Sequence, residues 1–101
     1  MFGNMEEMQQ KMKEKLAAIK VEAESGDGAV KVTANATREV LNISINKELL
    51  DWDDQEEVED LVTVAVNRAL ELAGEQEALE TQNMMKDMLP PGMGDLSGLF
   101  G

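Results

Sequence analysis

The stretch from Ala18 to Asn46 constrains the fold most, because only there do apolar and polar residues alternate along the chain. A period of two is typical of β-strands that bury one face. Two interruptions divide the stretch, so we predict a three-stranded meander whose apolar face must be covered by other elements. The apolar positions of the three strands are Ile19, Val21 and Ala23, then Val30, Val32 and Ala34, and then Leu41, Ile43 and Ile45.

The first interruption is the segment Ser25-Gly26-Asp27-Gly28. Two glycines around an aspartate are typical of a tight hairpin turn, in which positive φ angles must be tolerated. A phosphate-binding loop is the competing interpretation, but no Gly-Lys-Ser/Thr ending follows and the next element is a strand instead of a helix. The composition therefore favours a hairpin turn.

A first helix is predicted before the meander, from Asn4 to about Ile19. Its apolar residues recur at spacings of three and four and form one stripe. Lysines border this stripe on both sides, and the simplest interpretation is that their stems cover its edge while the ammonium groups stay in water. The stripe consists of Met5, Met8, Met12, Leu16 and Ile19, and the bordering lysines are Lys11 and Lys15 on one side and Lys13 and Lys20 on the other.

A second helix is predicted after an acidic segment that begins at Asp51. Asp53 with Glu56, or Asp54 with Glu57, fits a capping box, and the acidic groups suit the positive end of a helix dipole. A calcium loop is disfavoured, because Glu56 stands where that loop requires Gly. Its wide apolar face comprises Val58, Leu61, Val62, Ala65, Val66, Ala69, Leu72 and Ala73, with Val64 and Leu70 outside it as candidate subunit contacts.

The chain after Gly74 either continues this helix or forms a third one up to Met88. Its Met84, Met85 and Met88 mirror the methionines of the first helix, so we expect the two ends to pack together. The run Leu89-Pro90-Pro91-Gly92 stops any helix. We therefore predict one α+β domain at residues 1–89 and a Pro/Gly-rich mobile tail at residues 90–101.

Composition excludes several function classes. The chain of 101 residues has no Cys and no His, which removes thiolate metal sites and Cys/His catalysis, and its many carboxylates include no pair distinguished by a neighbouring nucleophile or metal pattern. We therefore expect no enzyme activity, no cofactor, no metal and no small-molecule ligand. The start of the sequence lacks the features of a secretory signal and no run is long enough to span a membrane, so a cytoplasmic protein without membrane contact is predicted.

The net charge of −12 by itself argues against a nucleic-acid partner. The charge is unevenly distributed, however. Residues 1–20 carry +1, whereas residues 21–101 carry −13. Because a core built from so few aromatic residues is thin, we also expect two copies to associate and hide the remaining apolar surface.

Several segments together resemble the YbaB/EbfC family of bacterial nucleoid-associated proteins. The resemblance covers essentially the whole chain and lies in the order and spacing of its motifs. They are the Met-Phe-Gly start, the Met/Gln/Lys-rich first helix, Gly26-Asp27-Gly28-Ala29-Val30-Lys31-Val32, the pair Leu49-Leu50 before an acidic cap, Glu59-Asp60-Leu61-Val62 with Ala65 and Asn67, and the closing Leu89-Pro90-Pro91-Gly92-Met93.

This resemblance implies an N-terminal helix, a three-stranded antiparallel sheet and one or two C-terminal helices, paired as a homodimer whose helices project like tweezers. It also implies binding of double-stranded DNA with little base specificity, and a place in the nucleoid of the cytoplasm. The family's DNA contacts come from the N-terminal and C-terminal helices. The matching positions here are Gln9, Gln10, Lys11, Lys13, Lys15 and Lys20 at the first helix and Lys86 in the C-terminal segment.

The acidic C-terminal half supports a different class of function. In this alternative the chain keeps the family fold but has lost DNA binding, and acts as a dimer that binds a protein partner. Its Met-rich ends or the exposed aliphatic residues of the second helix would form the contact. The sequence leaves this alternative open.

Overall fold

The computed structural model describes the backbone of residues 2–88 and the side chains of residues 5–87. Its order of elements, α-β-β-β-α, confirms the predicted α+β fold. The predicted tail at residues 90–101 lies outside the described residues. The elements are α1 (Phe2–Ala18), β1 (Lys20–Ser25), β2 (Val30–Asn35), β3 (Val40–Ile45), a short 3-10 helix (Lys47–Leu49) and α2 (Gln55–Met88).

The three strands form an antiparallel sheet in the order β1-β2-β3, as predicted. Helix α2 covers β1 and β2 on one face, where Val30, Val32 and Ala34 of the central strand are fully buried. The helix approaches closely because the residues that it places on the sheet are alanines at every fourth position. Ala65, Ala69 and Ala73 all have no exposed surface.

The first turn of the meander is the predicted hairpin. Gly26, Asp27 and Gly28 have φ angles of 62°, 55° and 92°, so three successive residues have positive φ angles. Gly26 also lies under α2, where an added Cβ would stand 3.1 Å from a methyl carbon of Leu61. The backbone angle therefore favours glycine at this position, and a side chain would also displace the tip of Leu61.

Strand β3 differs from the predicted alternation. Ala34 pairs with Val40 but Thr33 pairs with Asn42, so Leu41 is an extra residue in a β-bulge. In addition, α2 lies over β1 and β2 and leaves most of β3 uncovered. Val40, Leu41 and Ile43 are consequently 37%, 44% and 44% exposed, although Val40 and Ile43 pair with buried residues of β2.

Helix α2 is continuous from Gln55 to Met88, so the chain has no separate third helix within the described residues. Its cap is the second of the two predicted alternatives, because Asp54 Oδ1 accepts a hydrogen bond from the backbone N–H of Glu57 at 3.2 Å. The last buried residue of the helix is Ala73. Beyond it, α2 contacts α1 and the β2–β3 turn, and the molecule is elongated, with extents of 61 × 33 × 16 Å.

Candidate nucleic-acid interface

Helix α1 and residues 74–88 of α2 form an antiparallel pair, which we call the arm. Lys15 meets Glu80 near the base of the arm, while Met8 and Met12 lie farther out opposite Met84 and Met85. These four methionines line one open groove of about 480 Å³ between the helices. The two Met-rich ends therefore face each other across this groove, while the Met88 side chain lies outside the described residues.

The base of the arm is tied to the sheet. Leu16 is buried, and the backbone N–H of Ala36 donates hydrogen bonds to the carbonyl oxygens of Leu16 at 3.1 Å and Ile19 at 3.0 Å. Ala36 itself is fully buried. Both the side chain and the backbone at the end of α1 are thus held against the β2–β3 turn, which fixes the direction in which α1 leaves the body.

Two of the predicted lysines on α1 make no ion pair with a described residue. Lys11 and Lys13 are exposed, and neither takes part in an ion pair with any described residue. Gln9 and Gln10 are exposed on the same helix. Gln9 and Lys13 stand one turn apart at the edge of the Met-lined groove, so α1 presents amide and ammonium groups together.

The other three predicted lysines have different surroundings. Lys15 is paired with Glu80, with 3.0 Å between Nζ and Oε2. Lys20 is the first residue of β1, beyond the end of α1, and its partner in the sheet is Asn35. Lys86 is exposed near the far end of α2. The structure therefore brings Lys11, Lys13 and Lys15 together on α1, and places Lys20 at the base and Lys86 at the tip of the arm.

Arg38 is a cation near this site that the sequence interpretation missed. Its φ angle is 66°, and its guanidinium group reaches α2, where Nη2 lies 3.1 Å from Glu77 Oε1. The group passes over Gly74, at which an added Cβ would stand 3.3 Å from Nη2. Gly74 thus leaves room on the surface of α2 for the Arg38 guanidinium group. In the sequence, the only indication of this contact is the glycine within the helix.

The turn that carries Arg38 is built around one buried amide. Asn35 Oδ1 accepts hydrogen bonds from the backbone N–H groups of Thr37 at 3.0 Å and Glu39 at 3.2 Å, and from the Thr37 hydroxyl. The backbone N–H of Arg38 donates to the Asn35 carbonyl at 3.0 Å. These bonds hold Arg38 in its left-handed conformation and aim it at α2.

Carboxylates face the cations within the arm. Glu77 and Glu80 are paired with Arg38 and Lys15, while Glu75 and Asp87 are exposed and make no ion pair in the described part of the chain. Among the described residues, each helix of the arm therefore carries both signs of charge: α1 holds the unpaired Lys11 and Lys13 beside the exposed Glu6, Glu7 and Glu14, and α2 holds the exposed Lys86 beside Glu75 and Asp87. Exposed lysines on a projecting helix are suited to contact phosphate groups, which attract cations without regard to base sequence.

The described residues contain neither of two other kinds of site. No group of three or more His, Cys, Asp or Glu side chains in residues 5–87 is arranged to hold a metal ion. No helix in the part of the chain that the structure describes combines the length and the apolar character needed to cross a membrane.

Comparison with known proteins identifies the family. Residues 1–88 match the sequence profile of the YbaB/EbfC DNA-binding family. A nucleoid-associated protein of Thermodesulfovibrio yellowstonii is 42% identical over an alignment that covers all of this chain and 95% of the relative. A nucleoid-associated protein of Caldanaerobacter subterraneus is 44% identical over an alignment that covers 88% of this chain and 80% of the relative.

The fold has a counterpart among solved structures. The crystal structure of an uncharacterized protein of Helicobacter pylori matches with a TM-score of 0.64 and covers 82% of this chain and 96% of that one. At 24% identity this likeness concerns the fold alone. The family profile and the two nucleoid-associated relatives carry the assignment: the chain belongs to the YbaB/EbfC DNA-binding family.

Proposed function

We propose that this protein binds double-stranded DNA as a homodimer, with little base specificity, in the nucleoid of a bacterial cytoplasm. The single observation that carries the proposal, beside the family, is the pair of exposed and unpaired lysines Lys11 and Lys13 on a helix of the projecting arm. Gln9 and Gln10 add hydrogen-bonding groups on the same helix. Lys15, Lys20 and Lys86 extend the contact along the arm.

The shape of the molecule reconciles DNA binding with a net charge of −12. In physiological salt, charges are screened over about 8 Å, so acidic groups on the body repel a duplex at the arm only weakly. The chain is 61 Å long, and the arm lies beyond the last buried residue of α2. The lysines of α1 therefore respond mainly to their local surroundings, which include the exposed carboxylates Glu6, Glu7 and Glu14 of the same helix, and less to the total charge.

Little base specificity is expected from these residue types. A lysine ammonium is a point charge on a flexible stem, and its contact with a phosphate carries no direct information on sequence. Arginine, which reads guanine in the major groove with two hydrogen bonds, is absent from α1. The cations of α1 thus suit backbone contacts better than base readout.

The uncovered part of β3 supports the homodimer. Val40, Leu41 and Ile43, which we call the uncovered strip of β3, are exposed on the strand that α2 does not cover, and three exposed aliphatic side chains on one strand are well placed to be covered by the same strand of a second copy. Val64, which is 39% exposed on α2, adds to the apolar surface. Pairing through β3 would leave both arms free to contact one duplex.

Charge reversal at the arm tests the proposal. Lys11→Glu together with Lys13→Glu should abolish binding to a fluorescently labelled duplex in low salt, measured by anisotropy, because attraction to phosphate is replaced by repulsion. The matched control is Lys31→Glu together with Lys47→Glu, which changes the net charge equally at exposed positions on β2 and the 3-10 helix. This control should retain most of the affinity.

Two results would contradict the proposal. One is equal loss of binding in both double variants, which would mean that only total charge matters. The other is no binding by the unaltered protein even in low salt, which would favour the acidic protein-binding dimer that the sequence leaves open. Duplexes of unrelated sequence should bind with similar affinity, and a strong preference among them would contradict the low specificity.

A further inference from the structure

Lys15 differs from the other lysines of α1 in having a carboxylate partner. Its Nζ lies 3.0 Å from Oε2 of Glu80, on the opposite helix of the arm. The Lys15 side chain is 56% exposed, whereas that of Glu80 is only 18% exposed. The carboxylate is therefore held close to the arm and partly shielded from water, while the ammonium group remains accessible to a ligand.

The position of Lys15 makes this ion pair relevant to a polyanion. Lys11 and Lys15 are four residues apart, so they lie in one row along the same border of α1. Lys11 makes no ion pair among the described residues. A duplex whose phosphates contact Lys11 also lies close to Lys15, one helical turn along α1. Lys15, however, is already paired with the Glu80 carboxylate of the same protein.

We infer that Glu80 competes with DNA phosphates for Lys15 and thereby limits the affinity of the arm for DNA. The contact is autoinhibitory: Lys15 offers its full charge to a phosphate only by leaving Glu80. This inference rests on the proposed DNA binding and adds to it an element of regulation by the protein's own acidic helix. Any change that neutralises or displaces the Glu80 carboxylate increases the number of lysines available to the duplex.

The size of the effect follows from the nature of the pair. Partly exposed ion pairs contribute up to about 1 kcal/mol, which corresponds to about a fivefold change in affinity for each arm. A freed Lys15 that engages a phosphate also adds about 0.9 to the steepness of the salt dependence. Both quantities are accessible to the same binding titration.

Glu80→Gln is the variant that tests the inference, because it removes the charge and keeps the size of the side chain. Glu75→Gln is its matched control: Glu75 lies on the same part of α2, is exposed and has no ion pair with a described residue. Both variants change the net charge equally. We expect Glu80→Gln to bind a labelled duplex up to about fivefold more tightly per arm than Glu75→Gln, with a steeper salt dependence.

A second comparison assigns the effect to Lys15. In a Lys15→Gln background the advantage of Glu80→Gln over Glu75→Gln should disappear, since no ammonium group is left to release. Equal or weaker binding by Glu80→Gln in the presence of Lys15 would overturn the inference while leaving DNA binding itself intact. Failure of every variant to bind DNA would instead overturn the proposed function, and with it the competition.

Discussion

Gly26 shows how strongly one residue position is determined in this fold. It combines a φ angle of 62° with a place under α2, and both disfavour a side chain. Its neighbour Ser25 is buried and donates a hydrogen bond from its hydroxyl to the carbonyl oxygen of Leu61. The hairpin turn is therefore also the point at which the end of β1 is attached to α2.

Gly26→Ala should destabilise the protein by more than the cost of the backbone angle alone. The left-handed conformation costs a non-glycine residue about 1–2 kcal/mol, and the new Cβ would also press on two methyl carbons of Leu61 at 3.1 and 3.2 Å. The control is the same substitution in a Leu61→Ala background, in which the two methyl carbons are absent and the backbone angle is unchanged. Urea unfolding at one fixed protein concentration measures both costs, and an equal cost in the two backgrounds would contradict the role of Leu61.

At the scale of elements, the close contact between α2 and the sheet depends on small side chains. Ala65 and Ala69 are fully buried in one cluster with Val30 and Val32, Ala73 is fully buried one turn farther along, and no larger residue of the helix is buried to the same extent. The free energy of packing therefore comes largely from close approach of the helix to the strands at these alanines, with half-buried aliphatic side chains such as Leu61 packed beside them.

Ala69→Leu should consequently destabilise the protein by about 1–3 kcal/mol, because the added carbons force the helix away from the sheet. Ala78→Leu provides the control: Ala78 is exposed on the arm, where the same substitution should change stability by no more than about 0.5 kcal/mol. Thermal or urea unfolding gives both values. An equal change in the free energy of unfolding for the two substitutions would show that α2 is not closely packed on the sheet at Ala69.

The elements themselves could largely be predicted from the sequence, because their signals are local. Alternation in Ala18–Asn46 predicts the strands, and the glycines at 26 and 28 predict the first turn. The bulge at Leu41 and the partial cover of β3 could not be predicted, since they depend on where α2 comes to lie across the sheet. Local sequence patterns carry no information on contacts between elements that are far apart along the chain.

In the candidate site, too, some features could be predicted from local patterns and others depend on contacts between distant parts of the chain. Helical spacing predicts that lysines border the apolar stripe of α1 on both sides, and in the structure Lys11 and Lys13 are exposed on that helix. The pairing of Lys15 with Glu80 joins residues that are far apart in sequence, so no local pattern indicates it. The same is true of Arg38, whose place beside Glu77 depends on the contact of a turn with a helix.

At the scale of the whole molecule, the uncovered strip of β3 predicts self-association. Ile43→Glu should raise the dissociation constant of the dimer by at least about 100-fold, because an uncompensated charge in an interface costs several kcal/mol. Ser44→Glu is the control: Ser44 lies on the opposite face of the sheet and pairs with Lys31, so a new carboxylate there should be tolerated. Light scattering after size-exclusion chromatography gives the masses.

A dimeric Ile43→Glu variant would contradict the assignment of the interface to β3. A monomeric unaltered protein at micromolar concentration would contradict dimerisation altogether. The two results differ in consequence, because DNA binding by one arm does not require a partner, whereas the simultaneous contact of two arms does.

A salt titration of duplex binding tests most directly whether this acidic protein contacts the DNA backbone through the lysines of α1. Engagement of Lys11 and Lys13 by both copies of a dimer neutralises about four phosphates, so the logarithm of the binding constant should fall with the logarithm of salt concentration with a slope of about −3.6 or steeper. The Lys11→Glu, Lys13→Glu double variant should lose this dependence together with its affinity. A slope near zero in the unaltered protein, or a slope that this double variant leaves unchanged, would contradict the account.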